Sequence, residues 1–493
     1  MDPEEDHYSL LKIGRNATSD QIRKAYFHAA RLLHPDTNPD PDAAEQFIKL
    51  QQAYETLSDA NRRVAYDLTL GEEETFDPGV SVNATYSRQE LPHSSESQLV
   101  YVLFEVLSTV QSNEGLSVPL NLSLVIDRST SMGGERMDNV KQNALNLVHQ
   151  MKADNFLSVV SFSDRAELLV PATRLTDISK IESNIRLMQP GGATEIYQGL
   201  EMGLSQIRRN LNPRYINHLI MITDGHTYGD EAACLDLAER AAAEGIGISG
   251  IGIGSEWNDG FIDKMVSFGG GNSLFASSPK DLDNFFADKL KNLVNVYAEG
   301  VTWDFDCDDE VELRYAFRVK PDQSPLTISR SICLGSILSS SGLNIILEFV
   351  VHPLPKRVTE VTLAHGKLKM NIPSRLKSSS SVSVNLSRAV NDQVTDNTTN
   401  AAVIQALSQL SLYRMQEKAR HEASTGDIVR ATTHLQNLAT HLLSLDERDL
   451  ARTVLMEADH LLKKKSYTGE GDKKIKYGTR ALCLLPGGAS EPA

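Results

Sequence analysis

Cysteine is scarce in this chain of 493 residues: Cys234, Cys307, Cys333 and Cys483 stand far apart. That spacing excludes a disulfide framework and any zinc-type pairing. Basic residues are the minority, 49 against 65 acidic, for a net charge of -16. Such a balance argues against a general nucleic-acid binder, whose affinity rests on neutralising phosphates, and suits divalent cations. No apolar run approaches the ~18 residues that a transmembrane helix needs. Met1 to Tyr8 is acidic and polar rather than a secretory leader. A cytoplasmic protein without a membrane or nucleic-acid partner is therefore expected. Also missing are the HExxH, GxSxG, P-loop and Cys-His arrangements of hydrolytic sites, so no enzyme is expected.

What is present is ordinary globular composition, 41% hydrophobic and 23% charged, over a length that suggests about three or four domains. Residues 1–70 read as an all-α module. Ile22, Tyr26, Ala29 and Leu33 recur at helical spacing, as do Phe47, Leu50, Tyr54 and Leu57. Two such stripes joined by a short turn must bury each other as a helical hairpin. The turn, from His34 to Asp42, is dense in Pro, Asn and Asp, and Pro35 disfavours helix at His34. Residues 71–78 are polar and acidic, a linker.

Beyond it the period changes to two. Val80, Val82, Ala84 and Tyr86 alternate with polar residues, and Leu99 to Leu107 is a second strand. Residues 119–298 alternate apolar strands (Leu120–Ile126, Phe156–Phe162, His218–Thr223, Ile246–Ile253, Ser273–Ala276) with helices such as Met137–Met151, Glu195–Arg209 and Glu231–Glu244. Nearly all-apolar strands separated by helices predict a doubly wound parallel sheet covered on both faces. Residues 299–390 read as a β-sandwich, and strands within 79–118 are expected to complete it, so the α/β part would be inserted in the sandwich. Residues 398–465 are helical in about three segments, broken at Gly426 and near Leu445-Asp446. Residues 466–493 are read as a tail, Gly- and Lys-bearing and mobile after Thr468, in which Ala481–Leu485 could dock.

The N-terminal module resembles the J domain of DnaJ-type co-chaperones. The resemblance runs in order through Asp6-His7-Tyr8-Ser9-Leu10-Leu11, Ser19 to Tyr26, His34-Pro35-Asp36, Phe47 to Asp59 and Arg62 to Asp67. It implies that His34, Pro35 and Asp36, with the basic side chains Arg23, Lys24 and Arg31, engage a DnaK-type chaperone and stimulate its ATP hydrolysis. Phe27, His28, Leu32 and Leu33 stand where the family carries further basic residues and an aromatic one, so steering toward an acidic partner is expected to be weakened. Neither a Gly-Phe-rich linker nor a CxxC zinc module follows, which leaves client binding to the downstream parts.

At the end of the Leu120–Ile126 strand stands Asp127-Arg128-Ser129-Thr130-Ser131, a DxSxS pattern that is weak alone. Asp224 ends another apolar strand, and Thr194 opens a helix from the loop Gly191-Gly192-Ala193. Ligands of doubly wound sheets bind at the carboxyl ends of strands, near the reversal of strand order. Carboxylates and hydroxyls are hard ligands, suited to Mg²⁺, Mn²⁺ or Ca²⁺. Taken singly, each residue is equally at home as a helix cap or turn residue. Together and in order they resemble the metal-ion-dependent adhesion site of von Willebrand factor A domains, as in integrin subunits and inter-alpha-trypsin-inhibitor heavy chains. The resemblance implies that Asp127, Ser129, Ser131, Thr194 and Asp224 hold the divalent cation, Mg²⁺ first, and that a partner protein offers it a carboxylate. Asp164 and His226 are read as turn or rim residues. The function expected is a J-domain protein whose metal-dependent A domain holds a partner. The alternative is a metal-dependent assembly scaffold with an inactive J domain.

Overall fold

The computed structural model describes residues 7–11, 19–33, 43–58, 62, 78–110, 118–225, 229–375, 378–392 and 400–482. The chain divides into two units, Met1–Asp77 and Pro78–Ala493.

In the first unit, α1 (His7–Leu10), α2 (Ser19–Leu33) and α3 (Ala43–Ser58) share one small core. Leu50, Ala53 and Leu57 fall on one face of α3 and are buried with Ile22 and Leu11. The Tyr26 and Tyr54 rings stack with centroids 4.1 Å apart, joining α2 to α3. Arg23 and Lys24 are exposed on α2. His34, Pro35 and Asp36, the Arg31 side chain and linker residues 71–77 lie outside the described residues.

The second unit begins with β1 (Val80–Tyr86), β2 (Glu90–Pro92) and β3 (Gln98–Ser108). There follow β4 (Leu120–Asp127), α4 (Glu135–Gln150), β5 (Phe156–Phe162), β6 (Ala166–Arg174), α5 (Ile178–Leu187) and α6 (Ile196–Arg208). Next are β7 (Ile216–Thr223), α7 (Glu231–Ala243), β8 (Gly247–Ile253), α8 (Asp259–Ser267), β9 (Ser273–Ala276) and α9 (Pro279–Val294). Strands return as β10 (Val296–Asp306), β11 (Val311–Lys320), β12 (Ser324–Pro325), β13 (Ser331–Leu338), β14 (Leu343–Val351), β15 (Glu360–Asn371) and β16 (Ser379–Asn391). The chain then runs through α10 (Ala401–Ser424), α11 (Ile428–Ser444), α12 (Arg448–Lys464) and α13 (Gly469–Ala481).

The α/β sheet has the order β6-β5-β4-β7-β8-β9. It is parallel apart from β6, which pairs antiparallel with β5 at the edge. Every residue of β4 and β7 is buried, because α4, α5 and α9 pack on one face and α6, α7 and α8 on the other. That is why these strands read as unbroken apolar runs rather than as alternation. The sequence pattern did not reveal β6: its burial is shallow and irregular, and Pro171 interrupts it, as an edge strand tolerates.

The other strands form two further sheets, β1-β3-β14-β11-β12 and β13-β10-β15-β16-β2. Strand β3 pairs antiparallel with β14, setting Leu103 opposite Ile346, so strands that precede the α/β part complete the sandwich that follows it. Phe104 and Trp303 stack across the sandwich interior with centroids 5.4 Å apart. The outer face of β3, β11 and β14 is covered by α10 through Val403, Ala406, Leu410 and Tyr413. Covered on both sides, β14 is buried along its whole length.

The expected breaks in the helical region are there, at Gly426 with φ 88° and at Asp446 with φ 62°. The described residues of the expected mobile tail, 466–482, are instead folded. Within 466–493, residues Gly469–Ala481 form helix α13, and Tyr477 enters the α/β core beside Trp257 and Phe275. Its Gly and Lys content hid an amphipathic helix whose buried face mixes the cations Lys473, Lys476 and Arg480 with Ile475 and Tyr477.

Close packing behind β8 provides a direct test. A Cβ on Gly252 would fall 1.8 Å from Cε2 of Trp257, which is itself buried. Gly252→Ala must displace the indole and is expected to cost about 1–3 kcal/mol, as overpacking of a filled core does. Urea unfolding followed by tryptophan fluorescence measures this. An unchanged midpoint would mean that the indole has room to move.

Candidate functional site

Strand β4 is followed in the chain by β5 on one side of it and by β7 on the other, so the order reverses between β4 and β7. The loops leaving these two strands diverge there and open a crevice at their carboxyl ends. Asp127 is the last residue of β4, and Asp224 follows the last residue of β7. A third loop, before α6, carries Thr194. Backbone bonds tie the loops together: the Thr130 N–H donates to Gly192 O at 3.0 Å, and the Gly191 N–H to Arg128 O at 2.7 Å. Gly192 has φ 89°, and a Cβ there would lie 2.7 Å from Asp164 Oδ2, so the close approach requires glycine.

Asp127 is fully buried. Its Oδ1 accepts from the Ser129 N–H at 2.7 Å and its Oδ2 from the Thr223 hydroxyl at 2.7 Å. The hydroxyls of Ser129 and Ser131 are 3.1 Å apart, and that of Ser131 donates to Asp224 Oδ1 at 2.8 Å. Thr194 lies against Gly225, with its Oγ1 3.0 Å from where a Cβ would be. Ser131 is exposed, whereas Asp127, Ser129, Thr194 and Asp224 are buried, so the cluster has one open side. All five residues chosen from the sequence thus meet at one place.

Burial pushes the Asp127 carboxyl up, bonds from Ser129 and Thr223 act against that, and the nearby Asp224 charge adds to the rise. Two carboxylates held together favour a cation between them. Adjacent ligands of an octahedral Mg²⁺, each about 2.1 Å from the ion, lie about 3.0 Å apart. The measured 3.1 and 2.8 Å oxygen separations fit that spacing. Asp127, Ser129, Ser131, Thr194 and Asp224 are the residues that could hold such an ion. Among the described residues no cluster of three or more His, Cys, Asp or Glu side chains forms a different metal site.

Two participants escaped the sequence reading. Thr223 holds Asp127 Oδ2 from inside an apolar run, where a lone hydroxyl was the available signal. Arg136 donates through Nη1 to Asp224 Oδ2 at 2.7 Å and to Ser131 O at 3.3 Å. It is the second residue of α4, where the helix dipole disfavours a cation, and that misfit was its signal. Asp164 accepts from the Ala193 N–H at 2.7 Å and so braces the loop, in keeping with a turn residue. His226 lies outside the described residues.

Comparison with known proteins assigns the parts. A DnaJ domain family model matches residues 6–67, and a von Willebrand factor type A domain model matches residues 121–297. A third, described as the Sll0103-like C-terminal alpha-helical domain, matches residues 401–485. An uncharacterized protein of Synechocystis sp. is 24% identical over 76% of this chain and 90% of its own length. The chaperone protein DnaJ of Geobacillus kaustophilus is 48% identical over 62 residues, which are 13% of this chain and 16% of that protein. A von Willebrand factor type A structure from Catenulispora acidiphila covers 83% of this chain and 98% of its own at 14% identity, with a TM-score of 0.65. The chain is therefore a multidomain protein with an N-terminal J domain, an A-type α/β domain and a C-terminal helical region. No described helix is long and apolar enough to cross a membrane.

Proposed function

We propose that this chain is a J-domain protein that recruits a DnaK-type chaperone to a partner held, in a divalent-metal-dependent way, by its A domain. The observation that carries the reading is the convergence of five oxygen-bearing residues on the crevice between β4 and β7, in a chain that begins with a J domain. Asp127, Ser129, Ser131, Thr194 and Asp224 would hold the ion, Mg²⁺ first and Mn²⁺ or Ca²⁺ in its place. The bound ion would supply an electrophilic centre on the exposed side of Ser131, to which a partner's carboxylate binds. Asp127 is positioned from within by Thr223 and the Ser129 amide, while Arg136 occupies Asp224 Oδ2 and would compete with the ion for it. This is binding chemistry rather than catalysis. Of the acid-base candidates beside the cluster, Glu195 is bonded through Oε2 to Gln198.

The J domain would act through His34, Pro35 and Asp36 with Arg23, Lys24 and Arg31. The exposed placing of Arg23 and Lys24 supports this, while Phe27, 52% exposed, thins the basic face. The wide spacing of the four cysteines fits a reducing compartment, and cell fractionation is expected to recover the protein in the cytoplasm.

Two measurements test the reading. Partner capture in Mg²⁺ should be lost with chelator and with Asp127→Ala. Stimulation of a DnaK-type ATPase should be abolished by His34→Gln with capture intact. Capture without any ATPase stimulation would turn the reading into a metal-dependent scaffold with a silent J domain. Capture indifferent to chelator would remove the metal from it.

A further inference from the structure

A cavity of ≈ 500 Å³ opens between the α/β part and the β10–β13 region of the sandwich. It includes Ile216, the first residue of β7, and Gly247, the first of β8, so it lies at the end of the sheet opposite Asp127. Its volume is that of small-molecule sites, which favour the interfaces between structural parts. Ile216, Leu293, Val296 and Leu338 give it an apolar wall.

Lys289 of α9 also lines this cavity and is 9% exposed. An ammonium group has three donors, and buried ones need partners. Among the described residues its one hydrogen bond is to Asn272 Oδ1, at 3.4 Å, longer than the ~2.7–2.9 Å of a strong charge-assisted bond. The acid that acts on it, Asp322, is engaged by Arg318. Arg318 in turn donates to the carbonyls of Gly270, Gly271 and Leu334, so it is a satisfied brace between the two parts. Lys289 is left as a buried, under-used cation lining a cavity of mixed polar and apolar walls. Burial lowers its pKa, Asp322 opposes that, and Arg318 adds to it. An anion at Nζ would offset the burial.

We propose that this cavity binds a small organic acid, its carboxylate paired with Lys289 Nζ and its hydrocarbon body against Ile216, Leu293, Val296 and Leu338. Lys264 also lines the cavity but is exposed, which leaves Lys289 as its one buried ammonium among the described residues, suited to one carboxylate. A phosphate wants several forked donors, and both Nη atoms of Arg318 are already committed. The Glu299 carboxyl, which also lines the cavity, is pushed up to about 8 by burial against a bond from Asn371. That rise weakens its repulsion of an anion, and of the other lining carboxylates Asp322 is paired with Arg318 and Glu239 is exposed.

Calorimetric titration of the full-length protein with octanoate, octan-1-ol and inorganic phosphate tests the proposal. Octanoate should bind about tenfold or more tightly than octanol, and phosphate should not bind. Lys289→Met, which keeps the stem, should weaken octanoate by about 10- to 100-fold, the effect of one charged hydrogen bond, and leave octanol unchanged. Lys289→Arg should stay within a few fold of wild type. Equal binding of acid and alcohol, octanoate affinity indifferent to Lys289→Met, or no octanoate binding up to millimolar concentration would each overturn the proposal. Phosphate binding as tight as octanoate would overturn the organic-acid class. The comparison of acid with alcohol uses wild type alone and stands even if Lys289→Met does not fold.

Discussion

Arg480→Met is expected to cost the second unit about 3–5 kcal/mol, because it leaves the largely enclosed Asp263 carboxylate short of a buried partner. Arg480 lies on α13, and its guanidinium forks onto Asp263 of α8, Nη2 to Oδ2 at 2.7 Å and Nη1 to Oδ1 at 3.2 Å. Lys476, one turn earlier, pairs with the same Asp263 Oδ2 at 2.7 Å and also with Asp259. Arg420 of α10 bridges Asp259 at 3.2 Å to Asp472 at 2.8 Å. Arg480 and Lys476 are buried, so these pairs are poorly screened, and losing one member is far costlier than at a surface. Urea unfolding measures the loss, and Asp263→Asn beside Arg480→Met gives the coupling. Trp257 fluorescence reports the docking of α13, since its ring is 5.9 Å from that of Tyr477. A loss under about 1 kcal/mol would mean that the pair is no better than a surface bridge.

The same pair sets an acid dependence. Burial acts to raise the Asp263 carboxyl, but Arg480 and Lys476 outweigh it and hold it well below the ordinary carboxylate range. A depressed folded value means the contribution is full above the unfolded value of about 3.9 and is lost as pH falls through the folded one. The stability gap between wild type and Arg480→Met should therefore be constant near neutrality and narrow below about pH 4. A gap that widened on acidification would contradict the assignment.

Titrating Mg²⁺ into Asp127→Ala is expected to give affinity at least tenfold below wild type, since removing a ligand or the group that orders its waters commonly costs ~10–100-fold. Arg136→Gln should act in the opposite direction. Its guanidinium holds Asp224 Oδ2 at 2.7 Å, and a cation beside the site repels a second. Removing that charge should tighten Mg²⁺ binding a few fold. Calorimetry, or Mn²⁺ paramagnetic resonance, reads both. If Asp127→Ala bound Mg²⁺ as wild type does, the ion would have to lie elsewhere. If Arg136→Gln weakened binding, the arginine would be a support for Asp224 rather than a competitor.

How much of this was legible along the chain depended on how local the cause was. Asp127 and Asp224 could be placed because each follows directly on an apolar strand, and a polar residue that ends a buried run must sit at the sheet's rim. Leu50, Tyr54 and Leu57 announced the N-terminal hairpin, and Gly426 and Asp446 announced the helix breaks, from spacing and backbone preference alone. Those properties belong to a residue and its near neighbours, so the sequence determined them. What α13 does was decided only in the folded state. Lys476 and Arg480 look like solvated charges until Asp259 and Asp263, 217 residues earlier, are brought against them. That strands within 79–118 complete the sandwich was expected, but the register of β3 on β14 has the same origin, with Asn344 donating to Glu105 across 239 residues. Arg136 escaped the sequence reading because its partner Asp224 arrives from 88 positions away. Polar and charged groups are buried where long-range packing supplies a counter-charge, and one-dimensional pattern does not carry the identity of a partner that only the tertiary fold delivers.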